Sequence, residues 1–181
     1  MTVTLGDIPG ISLGVASAGL YGSRDDVVVL IGAGVAAGVV TRSSAAAAPC
    51  RWTRARVPGP VRAIVVNAGN ANAATGEKGE EDTLAMAEAV AKRLGAPIDE
   101  VLVCSTGVIG VPMPIADVVD GIAQATMAPD ASTGRAARAI MTTDTSPKMA
   151  GVETGAFKVA GIAKGSGIIH PNMATMLAFV A

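Results

Sequence analysis

The chain has 181 residues, with 14 Lys and Arg against 15 Asp and Glu, one His and a formal net charge of −1. That near-balance excludes a strongly basic nucleic-acid binder, which needs surplus cations to displace phosphate counterions, and two Phe, one Trp and one Tyr leave few platforms for stacking bases. Half of the residues are hydrophobic and 16% are charged, which excludes a disordered chain, and no uninterrupted apolar run reaches the roughly 18 residues of a membrane span.

In chain order, Met1–Ile11 holds Asp7 and no basic region, so it does not read as a signal peptide, and a cytoplasmic protein is expected. Residues 1–24 as a whole are rich in Gly and Ser and weakly patterned. Asp26–Ile31 (DVVVLI) is a β-branched run closed by Gly32, and Val35–Thr41 is a second β-leaning segment. Residues 42–60, with three prolines and scattered arginines, read as a loop or an irregular edge. Arg62–Asn67 (RAIVVN) is a strand candidate that runs into the loop Asn67–Gly79.

A helix follows. Glu77, Glu80, Glu81 and Asp82 crowd its start and Lys92 and Arg93 its end, the order that complements the helix dipole. Ala85, Met86, Ala89, Val90 and Leu94 supply the apolar stripe, and Gly95 is a natural stop. Glu100–Cys104 (EVLVC) is a short buried-type strand, Pro114–Ala125 and Gly134–Met141 read as helices, and Phe157–Ala163 is a strand before the turn KGSG. Strands alternating with helices argue for an α/β, mixed α+β fold: a layered mixed β-sheet core with flanking helices, in one domain spanning 1–181. The 35 alanines and 22 glycines make that core thin per residue, so its backbones must approach closely or it must borrow surface from a partner. Cys50 and Cys104 have no metal-binding spacing and are expected to be free thiols; no metal site and no cofactor are expected.

Four polar, glycine-punctuated segments end or join these elements: Asn67–Gly79 (NAGNANAATGEKG), Ser105–Gly110 (STGVIG), Thr142–Lys148 (TTDTSPK) and Lys164–Thr175 (KGSGIIHPNMAT). Loops at strand ends are where a rigid α/β scaffold places its working groups. Any one of the four alone reads as an ordinary turn. Taken together with their flanks, as VVNAGNANAATGEKG at 65–79, STGVIG at 105–110, RAIMTTDTSPK at 138–148 and GIAKGSGIIHPNMATML at 161–177, they resemble the ornithine acetyltransferase family, the bifunctional glutamate N-acetyltransferases of arginine biosynthesis. Their order and spacing agree with that family from about residue 25 onward.

The resemblance implies the amino-terminal portion of a precursor about twice this length, which cuts itself between Ala174 and Thr175. The new terminal Thr175 would be the nucleophile. This suits the chemistry: a threonine hydroxyl needs a base, and an α-amine with an ordinary pKa of about 7.7–8.0 is partly neutral near pH 7. Thr106 and Gly107 match the family's oxyanion-hole pair, which pre-aims a hydroxyl and a backbone N–H at one oxygen. Thr142 and Lys164 match substrate-contacting positions, with Thr175 a third. A lysine near the Thr175 amine would bias it toward its neutral form. Asp144 and Lys148 read as a local ion pair holding their loop, and His170, without an orienting carboxylate nearby in sequence, reads as structural.

The implied reaction moves an acetyl group from N-acetylornithine to glutamate by a ping-pong route, and part of the family also takes acetyl-CoA. The implied partners are those small molecules, the chain's own carboxy-terminal half, and further copies of the pair in a heterotetramer, with no nucleic acid or membrane. Residues 1–181 alone are expected to be inactive. Two alternatives stay open: an N-terminal-nucleophile aminopeptidase of related fold, with water in place of glutamate, and a non-catalytic nucleotide-binding module. The second rests on Val27–Gly38 (VVVLIGAGVAAG), where a strand runs into Gly32-x-Gly34 and Gly38. It demands a helix next and an acid about 20 positions on, whereas VVT follows and 52–56 reads WTRAR. Adjacent strands joined through small residues suit those glycines better.

Overall fold

Four β-strands form the main sheet in the order β1 (Ser12–Ala16), β2 (Val27–Ala36), β3 (Gly59–Asn70) and β4 (Val101–Val108). The structure is a computed structural model that describes residues 3–166 and 176–181. β1, β2 and β3 pair antiparallel; β4 joins β3 in parallel, which the intervening helix α2 (Gly76–Leu94) makes possible. Helix α1 (Ala48–Arg54) lies between β2 and β3 in sequence, and α3 (Ile115–Met127) and α4 (Thr133–Ala139) follow β4. A second sheet pairs β5 (Lys148–Glu153), β6 (Lys158–Lys164) and β7 (Leu177–Val180), all antiparallel. The fold class is the mixed α/β one expected.

The main sheet is buried on both faces, so its central strands read as continuous apolar runs. Val27, Val29, Val65, Val101 and Val103 pack under α2 and α3 with Met86, Val90, Val118 and Ile122. Their alternates Leu13, Val15, Val28, Leu30 and Val66 pack with Ala136 of α4, Ile140 just after it, and Ala160, Ile162 and Phe179 of the second sheet. The close approach that an alanine- and glycine-rich core requires is visible at Gly14, where an added Cβ would lie 1.9 Å from the Ala125 carbonyl oxygen of α3. Among the described residues no helix is long and apolar enough to cross a membrane.

Helix α2 has the predicted extent, and Gly95 caps it in the left-handed conformation, φ 60°. Helices α3 and α4 and strand β6 fall within two residues of expectation. Other expectations are corrected. The two segments at 26–31 and 35–41 are one strand that passes through Gly32 and Gly34 with an irregularity between Ile31 and Gly34, and residues 37–41 are not strand. The glycines therefore sit inside a paired strand, and no helix follows them as a dinucleotide-binding turn demands. β3 extends beyond Arg62–Asn67 at both ends, and β4 continues through Ser105–Val108, which read as loop.

Strand β1 lies within residues that read as unpatterned, and β5 and β7 had no signal of their own. Helix α1 occupies residues read as loop. Its seven residues are too few to display a helical period, and Pro49 sits in the first turn, where a missing N–H costs nothing. This helix covers the free edge of β4. Thr53 Oγ1 donates to the Val103 carbonyl at 2.7 Å and accepts from the Val103 N–H at 3.1 Å, while Trp52 Nε1 donates to the Val101 carbonyl at 2.9 Å. Side chains thus satisfy an edge that otherwise invites pairing with another chain.

Candidate functional site

At the end of β4 the chain places Thr106 and then Gly107, opposite Gly69 of β3. Both glycines hold positive φ, 137° and 117°. An added Cβ on Gly107 would lie 2.3 Å from the Gly69 carbonyl carbon and 2.6 Å from the Asn70 nitrogen, so only glycine lets the two backbones meet there. Beyond this point the pairing shifts register at Asn70 and continues to Val108, whose carbonyl accepts from the Ala71 amide at 2.9 Å.

The asparagines of the 67–79 segment build the scaffold beneath. Asn67 Nδ2 donates to the Asn70 carbonyl at 2.8 Å, and Asn70 Nδ2 donates to the Val111 carbonyl at 3.0 Å beyond β4. Asn72, at φ 45°, donates to the Gly79 carbonyl and to Thr83 Oγ1 of α2, and its Oδ1 accepts from Thr75 Oγ1. Asn tolerates such a φ better than most residues. Among the described residues, the cross-strand neighbours Asn67 and Ser105 have no hydrogen-bond partner for the buried Asn67 Oδ1 and Ser105 Oγ.

Lys164, the last residue of β6, is 3% exposed. Its Nζ donates to Thr106 Oγ1 at 3.0 Å and to Thr142 Oγ1 at 2.6 Å, joining residues 58 and 22 positions away in the chain. Three sequence-predicted residues from β4, the α4–β5 loop and β6 therefore meet at one ammonium, with Gly107 beside them. Because each hydroxyl oxygen accepts from Lys164, each keeps its own hydrogen to donate elsewhere. Burial pulls the Lys164 ammonium below its ordinary pKa; Asp144 opposes that shift and Lys148 adds to it.

Asp144 does more than form the loop ion pair with Lys148 that its sequence suggests. Its side chain is fully buried and accepts from the Gly165 amide at 2.8 Å, from Lys148 Nζ, and more weakly from the Thr142 amide at 3.4 Å. Burial works against its charge, but the hydrogen bonds from Lys148 and the two amides outweigh burial and hold the carboxyl below its ordinary value.

The loop of residues 17–26 also borders the site, and nothing in its sequence pattern announces that. Asp26, itself buried, accepts from the Ala18 amide at 2.6 Å and the Tyr21 amide at 3.2 Å. Leu20 and Tyr21 pack against Gly69. Arg24 stacks on the Tyr21 ring and donates to the Met141 carbonyl at 2.6 Å, next to Thr142.

Ala174, Thr175 and His170 lie outside the described residues. Cys50 and Cys104 are free, and burial raises both thiols, Cys104 to about 12, which leaves them poor nucleophiles. Among the described residues no three His, Cys, Asp or Glu side chains gather as a metal site requires.

The ArgJ family model matches residues 12–181. The arginine biosynthesis bifunctional protein ArgJ of Thermus thermophilus is 48% identical over 176 residues, which cover 94% of this chain and 46% of that protein. The ArgJ protein of Rhizobium meliloti is likewise 48% identical, over 94% of this chain and 44% of its own length. The chain thus spans about half the length of the curated relatives it matches. Among solved structures, the ornithine acetyltransferase of Mycobacterium tuberculosis complexed with ornithine superposes with a TM-score of 0.88 at 34% identity, covering 96% of each chain. The ArgJ protein of Bacillus halodurans superposes with a TM-score of 0.83 at 33% identity, covering 95% of each chain.

Proposed function

The chain belongs to the ArgJ family, and from that premise we propose that it is the amino-terminal part of a cytoplasmic enzyme that carries an acetyl group from N-acetylornithine to glutamate on Thr175. The observation that carries the reading is the meeting of Thr106 and Thr142 at the Lys164 ammonium. These residues answer to the family's oxyanion-hole and substrate positions, and they come from three separate elements.

The chemistry runs as follows. Cleavage of the Ala174–Thr175 bond frees the Thr175 amine, which takes the proton of its own hydroxyl while the oxygen attacks the acetyl carbonyl. Negative charge gathers on the carbonyl oxygen, where the Thr106 hydroxyl and the Gly107 N–H donate to it. The intermediate collapses, the C–N bond breaks, and ornithine leaves with the proton. The acetyl ester is then attacked by the amine of glutamate, giving N-acetylglutamate and restoring the threonine hydroxyl. Lys164 holds the oxygen of Thr106 so that the hydroxyl hydrogen stays available, and its charge favours a neutral amine at Thr175. The second half of the precursor supplies the remaining substrate contacts and covers the exposed apolar residues of the second sheet, among them Met149, Val152 and Val180.

The test uses the full-length precursor with N-acetylornithine and glutamate, following N-acetylglutamate and chain masses. Wild type should yield two chains meeting at Ala174/Thr175 and transfer acetyl, and Thr175→Ala should remain one inactive chain. Thr106→Ala should lower kcat on the order of 10²-fold, since its donor acts on charge that appears in the transition state. An uncut yet fully active precursor would overturn the mechanism, and acetate as the main product would favour the aminopeptidase alternative.

A further inference from the structure

Resting on that reading, we propose that Asp144 is a positioning residue that sets the two substrate-side groups, Thr142 and Lys164, in register with each other. Thr142 stands on the α4–β5 loop, Lys164 at the end of β6, and no strand pairing joins those two places directly. Asp144 does: one carboxylate oxygen, Oδ1, accepts from the Gly165 amide, immediately after Lys164, and from Lys148, while Oδ2 accepts from the Thr142 amide. The buried carboxylate thus grips the backbone beside both residues whose side chains meet at 2.6 Å. Both of its oxygens face donors, so only an acceptor on each side satisfies the site.

Asparagine has the same shape but presents an NH₂ on one side, where it faces an amide N–H donor to donor. The loop or the β6 end must then shift. Misplacement of a binding group by about 1 Å can cost on the order of 10²-fold in catalytic efficiency. Lys148 is different: its side chain is 46% exposed, and it reaches Asp144 from the solvent side. Without it, both amides still hold the carboxylate.

The experiment measures ornithine binding by calorimetry and steady-state transfer on the full-length protein, for wild type, Asp144→Asn and Lys148→Met. Asp144→Asn should weaken ornithine binding at least about tenfold and raise KM for N-acetylornithine, with kcat/KM falling on the order of 10²-fold. Lys148→Met should stay within about threefold of wild type on each measure. A merely structural Asp144 lowers the amount of active enzyme, and so kcat, with KM and ornithine affinity unmoved; that result overturns the proposal, as does equal loss in the two variants. Should Asp144→Asn not melt cooperatively, Asp144→Ser takes its place, with one acceptor retained and an intermediate loss expected. A wild-type protein that binds ornithine but transfers no acetyl overturns the transferase reading, while the ornithine affinities still decide Asp144. Wild type that neither binds nor transfers overturns both.

Discussion

In the four-stranded sheet, Val28, Val65 and Val66 meet no solvent, with helices on one side and α4 and the second sheet on the other; in the three-stranded sheet, Met149 and Val152 are half exposed and Val180 is 71% exposed. The candidate site takes something from each. Thr106 and Gly107 come from the sheet that is packed on both faces, and Lys164 from the end of a strand in the open one. The oxyanion donors we propose would have to be aimed before the reaction, which calls for backbone that cannot relax, and a close-packed sheet supplies that. The open sheet is less constrained by its own packing, and its Lys164 is held by hydrogen bonds across to Thr106 and Thr142.

This contrast is open to test, and the largest effect should fall where the buried strands touch. Gly107→Ala meets both an unfavourable φ and backbone atoms of Gly69 and Asn70, so a loss of at least about 3 kcal/mol is expected in chemical denaturation. Gly155, in the β5–β6 turn, has open space around its position, and Gly155→Ala should stay within about 0.5 kcal/mol of wild type. Equal losses at the two glycines would show that the sheets are equally constrained.

A smaller effect is expected from valine truncation. In residues 1–181 without the second half, Val65→Ala removes wholly buried methyl groups and should cost about 2–3 kcal/mol, whereas Val152→Ala, at a residue 53% exposed, should cost about 0.5 kcal/mol or less by the same measurement. A large loss at Val152 there would mean that the open face is covered even without the second half. The smallest effect concerns pH. The Asp144 carboxyl lies below its ordinary 3.8 in the fold, so its stabilisation is present above that value and lost as pH falls through the lower folded one. Melting temperatures of wild type and Asp144→Asn should differ most above about pH 5 and converge as the solution is acidified well below 3.8. A gap that persists in acid would show that the carboxylate's charge contributes nothing.

Much of the main sheet is legible in sequence because it is buried twice over. VVVLI and AIVVN are apolar runs that suit few other structures, and helix α2 announces itself by acids at its start, bases at its end and Gly95 beyond. The second sheet is largely illegible for the opposite reason. Strand β5 reads KMAGVE, with nearly every residue exposed and no alternation to betray a buried face. Helix α1 is too short to show a period and is held by Thr53 and Trp52 reaching to β4, contacts that only the folded chain can make.

The sequence by itself determined the class of fold and the family, and it singled out the threonines, glycine and lysine that we propose carry the chemistry, because those residues stand in long motifs whose order and spacing can be read along the chain. Only the tertiary structure decided that Thr106, Thr142 and Lys164 are neighbours, that Gly107 must be glycine because Gly69 lies against it, and that Asp144 grips the backbone on both sides rather than pairing with Lys148 alone. The reason is physical: hydrogen bonds and steric contacts fall off within a few ångströms, and these residues lie tens of positions apart until the two sheets pack together.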